Sequence, residues 1–198
     1  MGKNVKISAS RRTCIKLIVA AAGGTVTGIG GALAVGRMGR APEGAWLVLT
    51  PEEAEVLGAV VEQIIPSDKD PGAREAGGVI FIDRQLDGPY ERFVQDYREG
   101  LRCLELTSQA MAGNAFSKLL WPEQTRVLEA IEAGKVPPDI WERPKPNDFF
   151  QMVRSHTMQG FYGSPRHGGN RNYASYRMMG LEYPRISGRN RHPAKESL

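Results

Sequence analysis

Apolar residues recur along this chain at helical spacing. Leu57, Val60, Val61, Ile64 and Ile65 mark one helical face, and Pro66 stops the run. Thr50-Pro51-Glu52-Glu53 supplies the start. Thr50 can cap, Pro51 suits the first helical position, and Glu53 completes a capping box. A turn follows at "SDKDPG" (Ser67–Gly72). Val79, Ile80, Ile82 and Leu86, with Asp83 among them, then predict a second helix over Ala73–Leu86. The run "VIFI" inside it also fits a short strand, but no partner strand is evident. Tyr90, Phe93, Tyr97, Leu101 and Leu104 predict a long third helix to about Met111. Pro122 opens a fourth, with Val127, Leu128 and Ile131 inward and Gly134 as its C-cap. Val136–Pro146 is rich in proline and reads as an irregular connector. Asn147 caps a fifth helix, Phe149, Phe150, Val153, His156 and Thr157 form its stripe, and Gly160 ends it. A short helix is expected near Tyr173–Met179. The fold class is all-α: a compact bundle of about five helices with long irregular connectors.

Charge changes the picture at the N-terminus. The 198 residues carry a formal net charge of +4. Residues 1–34 contain Lys3, Lys6, Arg11, Arg12 and Lys16 and no acid. The remainder has 21 basic and 22 acidic side chains, so the high pI says little about nucleic acid. "SRRTCIK" (Ser10–Lys16) matches the twin-arginine export pattern S-R-R-x-F-L-K, with Cys14 in place of Phe. A weakly apolar, glycine-rich stretch runs from Leu17 to Val35, and Ala32-Leu33-Ala34 fits an A-x-A cleavage site. A single transmembrane helix is the alternative, since the stretch is about long enough to span. The expected organisation is a signal peptide over 1–34, a linker over 35–49, a helical domain over 50–184 and a basic tail over 185–198. The twin-arginine route carries folded cargo, so either this chain or a partner is expected to take up a cofactor before export. Removal of the signal leaves one cysteine, Cys103. It reads as a buried helical thiol or as one half of a disulfide to another subunit.

"GFYGSPRHGGN" (Gly160–Asn170) is the densest chemistry in the chain. It lacks the Lys-Ser/Thr pair of a P-loop, and it follows a helix where a dinucleotide fingerprint would follow a strand. No three ligands for a metal converge in the sequence, and no G-x-S-x-G elbow occurs. What remains is geometry. Gly163, Gly168 and Gly169 permit close backbone approach, Pro165 fixes a bend, and Arg166 can fork onto carboxylates or carbonyls. Asn170 can bridge two backbone segments, and Phe161 and Tyr162 supply apolar area. This equipment suits a docking loop, and equally a loop that folds back on its own bundle. A site built from His156, Arg166 and His167 in a free-standing exported enzyme is the competing reading.

Three stretches together resemble a known family, the small (gamma) subunit 3 of gluconate 2-dehydrogenase-type flavin dehydrogenases. "IIPSDKDPGAREAGGVIFIDRQL" (Ile64–Leu86) is similar to its I-I-P-x-D-x-x-P-G-A-x-x-A-G-x-x-x-F-I-D. "YREGL" (Tyr97–Leu101) is similar to its Y-x-x-G-L. "HTMQGFYGSPRHGGNRNYASYRMMG" (His156–Gly180) resembles its H-T-x-x-G-F-F-x-x-P-x-Y-G-G-N-x-x-x-x-W-x-x-x-G. The chain departs from that pattern at His167, where an aromatic is usual, and at Tyr176, where Trp is usual. The resemblance implies a non-catalytic, chaperone-like subunit without a cofactor of its own. It implies an FAD-bearing large subunit and a multihaem cytochrome c as partners, and export through the twin-arginine machinery to the periplasm beside the inner membrane. Partner docking is then expected of Phe161, Tyr162, Gly163, Pro165, Arg166, Gly168, Gly169, Asn170 and Tyr176, and the export signal of Arg11 and Arg12.

Overall fold

A computed structural model describes residues 46–181 of the chain. The expected signal peptide, with Arg11 and Arg12, and the basic tail over 185–198 lie outside the described residues. The described part is all-α, with no strand. Its helices are α1 (Pro51–Ile64), α2 (Gly78–Leu86), α3 (Val94–Ala112), α4 (Trp121–Glu132), α5 (Pro146–Tyr162) and a short α6 (Ala174–Met178). Single 3-10 turns link several of them. No described helix is long and apolar enough to cross a membrane.

Each helix begins where local chemistry permits. Thr50 and Glu53 form the expected capping box. The Glu53 carboxylate accepts from Thr50 N–H at 2.8 Å, and Thr50 Oγ1 accepts from Glu53 N–H at 3.2 Å. α2 starts at Gly78, later than the expected Ala73, because Gly77 sits at φ +84°, outside helical space. "VIFI" is helical. α4 begins one residue before Pro122, and Glu123 closes on Leu120 N–H at 3.0 Å. Gly134, expected as its C-cap, lies one residue beyond; Ala133 is the cap. Asn147 does not cap α5. It lies inside the first turn, and its Nδ2 donates to Glu132 O, joining the end of α4 to the start of α5.

The core runs through all five long helices. Leu57, Val60 and Val61 of α1, Ile82 and Leu86 of α2, Tyr97, Leu101 and Leu104 of α3, Val127 and Ile131 of α4, and Phe149, Val153 and Phe161 of α5 are all buried. Burial of such side chains stabilises the fold by about 1.5–3 kcal/mol each. A buried amide network joins α1 to α4: Gln63 Nε2 donates to Gln124 Oε1 at 2.9 Å, and Gln124 Nε2 donates to Phe116 O at 2.9 Å. The proline-rich connector is irregular, as its composition predicts, but it is pinned to α3. Trp141 Nε1 donates to Thr107 Oγ1 at 2.8 Å, and Cys103 Sγ donates to Ile140 O at 3.1 Å.

The linker expected over 35–49 ends earlier than its composition implies. Leu49 is buried. Asp83, on the inner face of α2 and 3% exposed, accepts three successive backbone N–H groups from the incoming chain. Leu47 N–H donates to Oδ2 at 2.9 Å, and Val48 and Leu49 N–H donate to Oδ1 at 3.0 Å each. Residues 47–49 therefore belong to the folded domain.

Candidate functional site

The glycine loop after α5 answers first to its own bundle. α5 does not stop at Gly160; it runs to Tyr162. The missing side chain at Gly160 makes room for the Phe81 ring of α2. Beyond Tyr162 the chain turns through Pro165–His167 and doubles back on α5. Gly169 lies so close to Gly160 that a Cβ there would overlap the Gly160 carbonyl. Asn170 is fully buried in the left-handed region, at φ +44°. Its Nδ2 donates to Gly163 O at 2.8 Å, and its Oδ1 accepts from Ser175 N–H at 2.9 Å. Arg171 N–H donates to Ala76 O at 2.9 Å, and Tyr176 OH donates to Gly163 O at 3.3 Å.

These bonds redistribute the expected docking residues. Phe161 is 0% exposed and stands in the core, so it cannot anchor a partner on the surface. Gly169 and Asn170 are buried braces, for the same reason. Tyr176 is half-buried and ties α6 to the loop. Tyr162, Gly163, Pro165 and Gly168 are half-buried and remain at the surface, and Arg166 is exposed. Arg166 Nε donates to the exposed His167 Nε2 at 3.0 Å.

An open groove of about 640 Å³ runs beside the loop, between α2 and α5. Phe81, Tyr90, Met158 and Tyr162 give it an apolar floor, and Gln85, Gln159, Ser164 and His167 give it polar edges. Tyr90 OH donates to Gln159 Oε1 across one side. The sequence pattern in the loop pointed to one wall only. The α2 wall escaped it, because Phe81 and Gln85 read as ordinary core and surface positions of a helix.

His156, Arg166 and His167 do not form one site. His156 is 6% exposed, does not line the groove, and is stacked on Tyr90 with ring centres 4.0 Å apart. Its Nδ1 shares a hydrogen bond of 3.0 Å with Tyr97 OH. Burial, with the Arg92 cation, lowers the His156 pKa to about 4, and burial holds Tyr97 well above its ordinary value. At neutral pH the pair is an uncharged donor and acceptor inside the core. The unfolded chain binds a proton at His156 near pH 6.5 and the folded chain does not. The stability contribution is therefore fully present above pH 6.5 and is lost as pH falls toward about 4. We expect about 3 kcal/mol of acid sensitivity from this group across that window, less what solvent screening removes. Thermal melts from pH 7 to 4 check it. His156→Gln should flatten the profile; an unchanged profile would show that His156 does not drive it.

Cys103 is 1% exposed, and burial pushes its thiol pKa up. It is a buried hydrogen-bonded thiol, and a bridge to another subunit would require the connector above it to move. Among the described residues no group of three His, Cys, Asp or Glu side chains is placed to hold a metal ion.

No curated protein and no solved structure matches the chain. A protein-family model described as "Gluconate 2-dehydrogenase subunit 3" matches residues 51–182. That span runs from the first turn of α1 past the end of α6, and takes in Asp83, Gly100, the glycine loop and both walls of the groove. The chain therefore belongs to the gluconate 2-dehydrogenase subunit 3 family, whose name describes a component of a multisubunit dehydrogenase.

Proposed function

We propose that this chain is the non-catalytic small subunit of an exported, FAD-dependent sugar or sugar-acid dehydrogenase. Its work is to stabilise the flavoprotein subunit during maturation and to carry it across the inner membrane through the twin-arginine machinery. FAD resides in the large subunit, a multihaem cytochrome c takes the electrons, and the complex works in the periplasm at the membrane face. The observation that carries this reading is the family match over residues 51–182. The twin-arginine pattern at Arg11 and Arg12 supports it, because that route accepts folded cargo. The placement of His156 weighs against the free-standing enzyme: a neutral histidine behind Tyr90 is a poor partner for Arg166 and His167 on the surface.

Export provides the test. Arg11→Lys with Arg12→Lys keeps the charge but removes the planar guanidinium pair. Fractionation of cells carrying this double variant should find the flavoprotein stranded in the cytoplasm, with periplasmic dye-linked dehydrogenase activity lost. A flavoprotein that still reaches the periplasm refutes co-export. Purified alone, the wild-type chain should be colourless and inactive on sugars.

A further inference from the structure

The surface around Gly168 carries a charge pattern that the rest of the domain lacks. Residues 46–181 hold 15 Lys or Arg and 19 Asp or Glu, so the domain as a whole leans acidic. From Phe149 to Leu181 there is no Asp or Glu, while Arg154, Arg166, Arg171 and Arg177 fall in that stretch. Arg154 faces Glu132 at 3.6 Å. Arg166 and Arg171 are exposed and make no ion pair among the described residues. Arg84 reaches the same turn, with Nη1 3.1 Å from where a Cβ on Gly168 would stand. The Arg171 stem crosses Gly77, with Cδ 2.7 Å from the corresponding point there. Arginines from α2 and from the loop thus gather at one turn, and His167 of that turn forms an edge of the apolar groove.

We propose that the groove and its arginine rim receive an acidic segment of the flavoprotein subunit, an apolar side chain flanked by carboxylates. The apolar side chain packs on Tyr90, Met158 and Tyr162, and the carboxylates meet Arg84, Arg166 and Arg171. This inference rests on the functional reading above. Guanidinium groups accept carboxylates in a planar fork, and rim charges set encounter rate and salt dependence. Charge also excludes the other occupants. Residues 1–45 carry Lys3, Lys6, Arg11, Arg12, Lys16, Arg37 and Arg40 against Glu43 alone. Residues 182–198 carry Arg185, Arg189, Arg191 and Lys195 against Glu182 and Glu196. Both segments are net positive, and the rim repels them. A second copy docked groove to groove would set arginine against arginine.

The test uses the full-length, tagged chain expressed beside its flavoprotein, with retained flavin read from absorbance after capture on the tag. Arg166→Glu with Arg171→Glu should lower retained flavin about tenfold, and high salt should weaken the wild type in the same direction. Tyr162→Asp should do the same through the groove floor. Arg98→Glu with Arg126→Glu, an equal charge change on exposed positions of α3 and α4, should leave retention unchanged. Circular dichroism confirms that each variant is folded. Undiminished flavin on the Arg166/Arg171 variant overturns the proposal, as does equal loss on the Arg98/Arg126 control. A homodimer dissolved by the rim variant while flavin is retained assigns the groove to a second copy and overturns it too. If the wild type retains no flavin at all, the functional reading itself fails, a result distinct from every other outcome.

Discussion

Asp83→Ala should destabilise the domain by about 4 kcal/mol, more than half the margin of a marginal protein. The carboxylate stands 3% exposed on α2 and accepts the N–H groups of Leu47, Val48 and Leu49. Its removal leaves donors without an acceptor in or beside the core. Each unsatisfied buried N–H costs about 1–3 kcal/mol. Leu47 is exposed and can turn to water, so Val48 and Leu49 carry most of the penalty. Asp83→Asn should cost less, about 1–2 kcal/mol, because one amide oxygen can still accept where Oδ1 does. Its NH2 then opposes the Leu47 donor. Urea denaturation of the three proteins measures the order, and limited proteolysis should cut earliest upstream of Thr50 in the Ala variant. An Asp83→Ala protein within about 0.5 kcal/mol of wild type would mean the clasp is ornamental.

Gly100→Ala tests the contact between α3 and α5. A methyl there would overlap Cδ2 and Cε2 of Phe149. The ring is held from two sides, by Trp141 at 5.6 Å and Tyr97 at 6.4 Å between centres, so it has nowhere to retreat. Overpacking of this kind costs about 3 kcal/mol or more. Replacing a helical glycine with alanine gains only about 1 kcal/mol of propensity. The steric term wins, and the variant should lose about 2–3 kcal/mol, seen as a fall of about 8 °C in melting temperature. Phe149→Leu in the Gly100→Ala background should recover part of that loss, since the smaller side chain clears the methyl. A melting temperature at or above wild type in Gly100→Ala would show that the helices can separate without penalty.

The helices were legible because their signals are local. Thr50-Pro51-Glu52-Glu53 needs no tertiary information to start a helix, and the apolar stripes of α1, α3 and α5 repeat at 3.6 residues. The misjudged boundaries have tertiary causes. Gly160 reads as a stop when its neighbours are unknown, yet it is a clearance for Phe81 from a helix 79 positions away. Asn147 reads as a cap, yet its amide spans to Glu132. Phe161 continues the α5 stripe of Val153 and Thr157, which a stop at Gly160 conceals. Asn170 lies in a segment of turn-forming residues, which suggests a surface; only the doubling back of the chain shows that it points inward. Asp83 did leave a trace, as a carboxylate among Val79, Ile82 and Leu86 on an apolar face. Its partners, three backbone groups with no side-chain signature, could not be named from sequence. The groove was half legible for the same reason: one wall is a motif, and the other is the flank of a helix.

The clasp at Asp83 also fixes where mechanical load enters the domain. Any pull on the chain from upstream arrives at Trp46, packed against the core, and then at Leu47, Val48 and Leu49, before it reaches α1. Three bonds from successive residues end on one side chain, and that side chain is anchored in α2 between Ile82 and Leu86. Tension applied upstream is thus delivered to the interior of the bundle, and the first helix in sequence stays unloaded until the clasp breaks.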